Sequence, residues 1–104
     1  MMKKLVMAAL PAALLMLSGA ALADQQLAQK NACMSCHGVD KKIVGPAFKD
    51  VAKKYTGDAG AAAKLEAKVK AGGKGVWGEI PMPPNPQVKA EDLHKIVVWI
   101  LSQK

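Results

Sequence analysis

The chain has 104 residues, 51% of them hydrophobic and 4% aromatic, and its formal charge of +7 comes entirely from lysine. This length excludes more than one domain of ordinary size. The hydrophobic residues are unevenly spread, because 18 of the first 23 residues are apolar, against 35 of the remaining 81. The first 23 residues and the rest of the chain therefore need separate interpretations.

Residues 1–23 have the pattern of a secretory signal peptide. Two lysines follow the first two methionines, a mostly apolar run covers residues 5–17, and the small-x-small site Ala21-Leu22-Ala23 precedes a polar stretch. We therefore predict cleavage at that site and export of residues 24–104, with no membrane span after processing. The alternative is an uncleaved anchor, since residues 5–23 are just long enough to cross a bilayer. The proline and glycine in that run and the well-placed cleavage site favour the signal peptide.

The predicted mature domain, residues 24–104, is small and basic. It carries 13 lysines and eight acidic residues, a net charge of about +5. With four aromatic side chains, a domain of this size is near the limit at which a hydrophobic core alone gives marginal stability. A disulfide between the only two cysteines, Cys33 and Cys36, would close too short a loop to remove much chain entropy. We therefore expect something else to help hold the domain together.

Glycine and proline divide this domain into four helical segments, which predicts an all-α fold. The predicted helices cover about residues 24–32, 47–55, 61–71 and 90–102. The fourth is the clearest, because its apolar residues recur on one helical face. A buried strand over residues 97–100 is the alternative, but no alternating segment exists elsewhere to pair with it.

The motif Cys33-Met34-Ser35-Cys36-His37 has the C-x-x-C-H form of a c-type haem attachment site. Each cysteine would form a thioether to a haem vinyl group, and His37 would become an axial iron ligand. A thioredoxin-like redox motif needs a βαβ context that this chain lacks. A four-ligand zinc site needs more cysteines or histidines, and only His94 is left.

The best candidate for the second axial ligand is Met82. It lies in a long loop, residues 72–88, which contains four glycines and four prolines, and a structureless loop of this length is usually functional. The prolines around Met82 fix the backbone and can present its sulfur at a fixed place. Met34 lies inside the attachment loop and cannot reach the opposite face of the haem, and His94 is interpreted as a solvated helix residue. The alternative for Met82 is that it fills a gap in the core.

Neighbouring residues are candidates to support the two ligands. The carbonyl of Pro46 is placed to accept a hydrogen bond from the outer ring nitrogen of His37 and to fix its tautomer. The Asn85 amide is a candidate donor to the Met82 sulfur, and the Trp77 indole N–H a candidate donor to a haem propionate. Packing alone is the alternative for Trp77.

Two lysines of the third predicted helix are further candidates to neutralise the propionates. These are Lys68 and Lys70. The alternative is that both are simply solvated, as most lysines on such a helix are.

These residues resemble a known family, the short bacterial monohaem class I cytochromes c of the c-551 type, known from denitrifying pseudomonads and their relatives. The resemblance covers essentially all of residues 24–104. It is carried by the attachment motif and by three further stretches, residues 44–52, 75–85 and 99–104. It implies four helices around a single covalently attached haem.

By the same resemblance, Cys33 and Cys36 bind the haem, His37 and Met82 ligate the iron, and Pro46 orients the histidine. Trp77 contacts a propionate. Two departures from the family pattern stand out. An arginine that helps to hold a propionate in relatives aligns with Lys68, which keeps the charge but loses the bidentate fork. The segment over residues 86–89 is about one residue longer.

The expected function is that of a monomeric one-electron carrier, not an enzyme, in the periplasm of a Gram-negative bacterium. The resemblance implies a quinol-oxidising cytochrome complex as donor and a dissimilatory nitrite reductase or terminal oxidase as acceptor. The alternative is a haem enzyme or gas sensor in which Met82 is a labile ligand. Predicted export, the lack of arginine and the lack of a recognition motif argue against a nucleic-acid role.

Four lysines are expected to border the exposed haem edge and to steer acidic partners. The alternative is a lysine-rich surface that only confers solubility. The four are Lys30, Lys41, Lys42 and Lys49.

Overall fold

The computed structural model describes residues 21–104 of the chain. Most of the predicted signal peptide, residues 1–20, lies outside the described residues, so its cleavage stays a prediction. Within residues 21–104, no helix is both long enough and apolar enough to cross a membrane.

The described chain contains four α-helices, which confirms the all-α prediction. The described part of α1 covers residues 21–30, α2 is Phe48–Lys54, α3 is Ala61–Ala71 and α4 is Ala90–Leu101. A short 3-10 turn, Cys33–Ser35, follows α1. Between residues 21 and 104 the only β-type pairings are two isolated bridges, each of which holds part of the functional site.

The observed bounds of α2, α3 and α4 agree with the predicted ones to within one residue, but α1 differs. It includes residues 21–23 and ends at residue 30 instead of 32. The reason is a left-handed backbone conformation at Ala32, with φ 63°, which no α-helix can continue through. For a residue with a Cβ this conformation costs about 1–2 kcal/mol. The strain lies directly before the first cysteine of the attachment motif.

Helix α4 is the centre of the core. Its buried residues form the apolar face that the sequence pattern predicts, with the aromatic Trp99 added at 6% exposure. The buried residues of α4 are Leu93, Ile96, Val97, Trp99 and Ile100. Helix α2 and helix α3 each pack against α4 but not against each other. The space between them is therefore available for a bound group.

The start of α3 is held by a carboxylate just before the helix. Asp58 Oδ1 accepts a hydrogen bond from the backbone N–H of Gly60 at 2.8 Å, and Oδ2 accepts one from Lys64 Nζ at 2.8 Å. The hydrogen bond from Lys64, with help from Gly60, lowers the pKa of Asp58. The same contact raises the pKa of Lys64.

Candidate functional site

A cleft of about 380 Å³ opens between α2, α3 and the long loop that follows α3. Its volume lies within the range of ligand pockets, about 300–1,000 Å³. Its floor is apolar and is formed partly by the buried face of α4. Seven of the predicted site residues line it: Cys33, Cys36, His37, Pro46, Lys68, Trp77 and Met82. The eighth, Asn85, lines an adjoining cavity of about 230 Å³, together with both cysteines, His37 and Met82.

The two cysteines lie on the 3-10 turn at one end of the cleft. The backbone N–H groups of Cys36 and His37 both donate to the Cys33 carbonyl, at 3.3 and 3.1 Å, so the motif closes on itself. Both thiols are free and only partly buried. Burial raises the pKa of the Cys33 thiol, although a backbone hydrogen bond opposes this. The turn therefore presents two thiols to the cleft edge, three residues apart.

His37 is held from two sides. Its Nδ1 lies 2.8 Å from the Pro46 carbonyl oxygen, the contact that the sequence predicts. With Nδ1 as the donor, Nε2 keeps a lone pair with which to bind a metal ion. The ring also stacks on Phe48, with centroids 5.1 Å apart and planes at 19°. Phe48 in turn meets the buried Trp99 edge-on at 5.5 Å.

Gly45 leaves room for the imidazole. A Cβ at this position would lie 2.8 Å from His37 Nδ1 and closer still to Cε1, which no real structure tolerates. Gly45 has an ordinary negative φ, so space and not backbone conformation requires the glycine here. Its backbone N–H donates to the Cys36 carbonyl at 2.7 Å. The Gly45 backbone therefore forms a flat wall behind the histidine.

Met82 is held by its backbone. Its N–H donates to the Gly73 carbonyl at 2.8 Å, and its carbonyl accepts the Gly73 N–H at 3.0 Å. A Cβ on Gly72 would lie 2.5 Å from the Met82 carbonyl oxygen, and Gly72 has φ 71°. The two glycines thus allow the end of α3 to lie directly against the Met82 segment. The methionine side chain is partly buried at the cleft.

The amide of Asn85 makes different contacts from the predicted one. Its Nδ2 donates to the Pro83 carbonyl at 3.0 Å and to the Val69 carbonyl at 3.4 Å, and not to the Met82 sulfur. Its backbone N–H also donates to the Val69 carbonyl, at 3.0 Å. The physical reason is proximity, because the Val69 carbonyl near the end of α3 lies within reach of the amide. In this structure Asn85 ties the loop to α3.

The lysine and histidine candidates separate clearly by position. Lys68 is partly buried and lines the cleft, with its Nζ beside Gly73, whereas Lys70 is exposed and lies outside the lining. His94 is also outside the cleft, and its Nδ1 lies 3.4 Å from Glu66 Oε2 across α3 and α4. Of the described residues that line the cleft, none is a second histidine.

Trp77 is 42% exposed and lies at the mouth of the cleft. Within residues 21–104 its indole N–H has no protein acceptor, which leaves the group available to a ligand carboxylate. The Lys54 ammonium lies over its ring, 5.6 Å from the centroid.

Sequence reasoning missed four residues that shape the site. Gly45, Gly72 and Gly73 allow the close approaches described above. Phe48 contacts both His37 and the core residue Trp99. The double glycine indicated only a helix stop. The available signal was the proximity of Gly45 and Phe48 to Pro46 in the sequence, but the backbone pairing of Gly73 with Met82 has no local signature.

The chemistry of the donor set fits a haem c. Two thiols in C-x-x-C-H spacing, one imidazole with a fixed tautomer and one thioether surround a cleft whose walls are mostly apolar. Within the described chain, no three His, Cys, Asp or Glu side chains converge to hold a bare metal ion. The residues present are therefore those that would hold iron already bound in a macrocycle.

Comparison with known proteins gives the same result. The profile of the cytochrome c family matches residues 22–104. The chain is 60% identical over 81 residues to a cytochrome c-551 of Allochromatium vinosum, covering 78% of this chain and 86% of that protein. It is 48% identical over 91 residues to the cytochrome c-551 of Pseudomonas aeruginosa, covering 86% of each.

The fold agrees with that of a solved relative. The crystal structure of Nitrosomonas europaea cytochrome c552 matches with a TM-score of 0.75 and 50% identity, covering 77% of this chain and 99% of that one. The motif, the cleft, the fold and the sequence matches therefore all indicate the same family. The chain belongs to the cytochrome c family, as a class I monohaem cytochrome of the c-551 type with one covalently attached haem c.

Proposed function

We propose that this small electron-carrier cytochrome works in the periplasm, with its haem attached through Cys33 and Cys36 and its iron ligated by His37 and Met82. The observation that carries the proposal is that all four side chains line one apolar cleft, together with the Pro46 carbonyl bound to His37. Residues 1–23 act as the export signal. Export suits covalent haem attachment outside the cytoplasm.

The bound haem supplies the chemistry, a one-electron couple between ferrous and ferric iron. The chain decides the potential of that couple. A methionine opposite a histidine raises it relative to two histidines, and an apolar surrounding disfavours the extra charge of the ferric state. His37 is fixed by Pro46 and Phe48, so its position need not change when the electron moves. The role of the chain is therefore to keep the ligand set the same in both oxidation states.

Lys68 and Trp77 are proposed to receive the haem carboxylates. The ammonium of Lys68 is partly buried beside the cleft, where a carboxylate would be a favourable partner. Lys70 serves as the control, since it lies on the same helix but outside the lining. Lys68→Met should lower the reduction potential more than Lys70→Met, because it removes a positive charge from the cleft, and that loss makes the extra positive charge of ferric iron less costly. Equal shifts would contradict the role of Lys68.

The edge near the attachment turn is the proposed docking surface. Ile43 and Val44 are large apolar residues with 53% and 48% exposure, and the exposed Lys41 and Lys42 precede them. A small apolar contact surrounded by charges suits a weak, short-lived encounter. Of the lysines expected to steer partners, Lys49 is already paired with Asp40, Nζ to Oδ1 2.6 Å. Steering is therefore proposed for Lys41 and Lys42 above all.

The proposed partners are a quinol-oxidising cytochrome complex as donor and a dissimilatory nitrite reductase or a terminal oxidase as acceptor. Stopped-flow mixing of the reduced protein with each purified acceptor, over a range of salt concentrations, identifies the physiological one. We expect Lys42→Glu to slow the second-order rate at low salt and to have little effect at high salt, where exposed charges are screened. A Lys42→Glu protein that reacts at the unsubstituted rate at low salt would show that Lys42 does not steer.

Substitution of the proposed sulfur ligand tests the ligation. Met82→Ala should abolish the weak long-wavelength absorption band that sulfur ligation gives to oxidised haem, lower the reduction potential and admit cyanide. Met34→Ala is the matched control, because Met34 lies inside the attachment turn and should leave all three properties unchanged. A Met82→Ala protein with an unchanged band and potential would show that the sulfur was never bound.

The unsubstituted protein distinguishes an electron carrier from a haem enzyme or gas sensor. A carrier keeps both axial positions occupied, so cyanide or carbon monoxide should bind only slowly. Rapid binding of either ligand at neutral pH would favour the alternative.

A further inference from the structure

Lys54 and Trp77 form a contact that the proposed electron-transfer site does not by itself require. Lys54 is the last residue of α2, and its Nζ lies 5.6 Å from the centroid of the Trp77 ring. Trp77 lines the cleft, whereas Lys54 is exposed and is not part of the lining. The ammonium therefore meets the indole from outside the cleft. A cation at this distance from a tryptophan face is attracted by the ring quadrupole.

No hydrogen bond within residues 21–104 orients the Trp77 ring. Residues 75–78 form a tight turn closed by the Gly75 N–H and the Gly78 carbonyl at 2.8 Å, and both glycines have positive φ. Within residues 21–104, neither the backbone nor the indole N–H of Trp77 makes a hydrogen bond to protein. The turn fixes the backbone of Trp77 but not the orientation of its ring. The Lys54 contact restrains that orientation.

Lys54 is well suited to this restraint because its backbone lies on an anchored helix. The helix that carries it is anchored in the core by Phe48, Val51 and Ala52. A lysine in the last turn of a helix is also stabilised by the helix dipole. Its ammonium forms no ion pair with a carboxylate in the described chain, so it is available to the ring.

The contact also joins α2 to a loop whose hydrogen bonds run to a different helix. Helix α2 packs on α4, whereas the loop that carries Trp77 is hydrogen-bonded to the α3 side through Gly73 and Asn85. The Lys54–Trp77 contact links α2 to this loop across the cleft mouth.

We propose that Lys54 is a positioning residue that holds the Trp77 ring across the cleft mouth and so fixes the direction of its indole N–H toward a haem carboxylate. The proposal rests on the proposed function of Trp77 as a donor to that carboxylate. It adds a residue that does not touch the haem and acts only through the tryptophan. Arginine also binds aromatic faces, so Lys54→Arg should preserve the effect.

Hydrogen exchange of the indole N–H tests the proposal directly. The haem-loaded, ¹⁵N-labelled protein is studied in the reduced state by NMR, with the Trp77 indole signal assigned from a Trp77→Phe variant. The indole N–H of the buried Trp99 is the internal reference. Lys54→Met should accelerate Trp77 indole exchange roughly two- to fivefold relative to Trp99, the size expected of an exposed cation–π contact. Lys54→Arg should restore the slow rate.

Lys53→Met is the matched control, because it removes the same charge from the neighbouring exposed position of α2. We expect it to leave the exchange rate unchanged. Equal acceleration by both substitutions, or none by Lys54→Met, would overturn the role of Lys54 while leaving Trp77 as a donor. Unprotected exchange in the unsubstituted protein would show instead that Trp77 meets no acceptor, and both proposals would fail.

Discussion

The two sides of the cleft that present the proposed ligands are built differently. On the histidine side, His37 is bound by the Pro46 carbonyl and stacked on Phe48, which packs edge-on against Trp99 in the core. On the methionine side, Met82 is held by two backbone hydrogen bonds to Gly73 in a mostly exposed loop. One proposed ligand therefore packs against the core, and the other is held by two backbone hydrogen bonds.

This difference implies a division between the two sides. The histidine side contributes to global stability, and the methionine side determines how labile its proposed ligand is. Damage to the histidine side should cost global stability, because the same contacts complete the core. Damage to the methionine side should loosen one ligand while most of the fold survives, because loop contacts contribute less burial. Each prediction below can break that division or sharpen it.

The largest expected effect is at Phe48. Phe48→Ala removes a side chain that is 2% exposed and takes away its aromatic contacts with His37 and Trp99, so we expect a loss of about 3–5 kcal/mol in the free energy of unfolding. Ile80→Ala on the methionine side removes an apolar side chain that is 66% exposed and should change this free energy by less than about 0.5 kcal/mol. Denaturant unfolding of the haem-loaded proteins measures both. Similar losses at the two positions would contradict the division.

The glycines on the two sides offer a matched comparison. Gly45→Ala pushes a methyl group into the His37 ring and should cost about 2–3 kcal/mol of unfolding free energy. Gly72→Ala pushes one into the Met82 carbonyl and should weaken sulfur ligation, seen as faster cyanide binding, with a smaller global loss. The measurements are denaturant unfolding and cyanide-binding kinetics for each variant.

Another glycine separates the clash from backbone strain. Gly57 has φ 80°, but an added Cβ would meet nothing within 4 Å. Alanine there should cost only the strain of the left-handed conformation, about 1–2 kcal/mol, and should leave cyanide binding unchanged. Faster cyanide binding in Gly45→Ala than in Gly72→Ala would reverse the assignment of the labile side.

A smaller effect is expected at Asn85, which ties the methionine loop to α3. Asn85→Ala removes two side-chain hydrogen bonds to backbone carbonyls and should cost about 1–2 kcal/mol of unfolding free energy. Gln87→Ala is the control, because the Gln87 amide donates only to Asn85, at an exposed site. If Asn85 acted on the sulfur instead, the reduction potential would change with little loss of stability.

The smallest effect on stability is expected at the start of α3, at Asp58. Because Lys64 and the Gly60 N–H lower the pKa of Asp58, the stability from this carboxylate is fully present above its unfolded pKa, about 3.9, and is lost as the pH falls through the lower folded value. Asp58→Asn should therefore flatten the dependence of unfolding free energy on pH in the acid range, below about pH 4. The group is exposed, so the change should be slight.

Lys64→Met should flatten the same acid dependence, whereas Lys70→Met, in the last turn of α3, should not. Acid titrations of unfolding for the three variants make the comparison. An unaltered dependence in Asp58→Asn would show that the pair contributes no stability.

Much of this protein was predictable because its signals are local. Helices α2, α3 and α4 follow from apolar periodicity and from glycine and proline breaks, and these patterns depend on neighbours three or four positions away. The attachment motif is local too, because its signature is the C-x-x-C-H spacing of Cys33, Cys36 and His37. The contact from Pro46 to His37 was also anticipated, across nine positions of sequence.

The predictions that differ from the structure concern contacts made in three dimensions. Helix α1 ends early because Ala32 adopts a left-handed conformation, which no helix propensity signals. The Asn85 amide turns to Val69 and Pro83 because the fold places those carbonyls within reach. In both cases the local pattern was compatible with more than one geometry.

The sequence by itself determined the chemistry of this protein, namely which thiols, imidazole and thioether are available and which segments are helical. Only the tertiary structure decided how the proposed ligands are held. Three contacts show this: Gly45 against His37, the backbone pairing of Gly73 with Met82, and the Lys54 ammonium over Trp77. In each of them, the local sequence does not indicate which residue the partner is. The physical reason is that covalent chemistry and helix periodicity are properties of short segments, whereas close approach depends on how the helices pack.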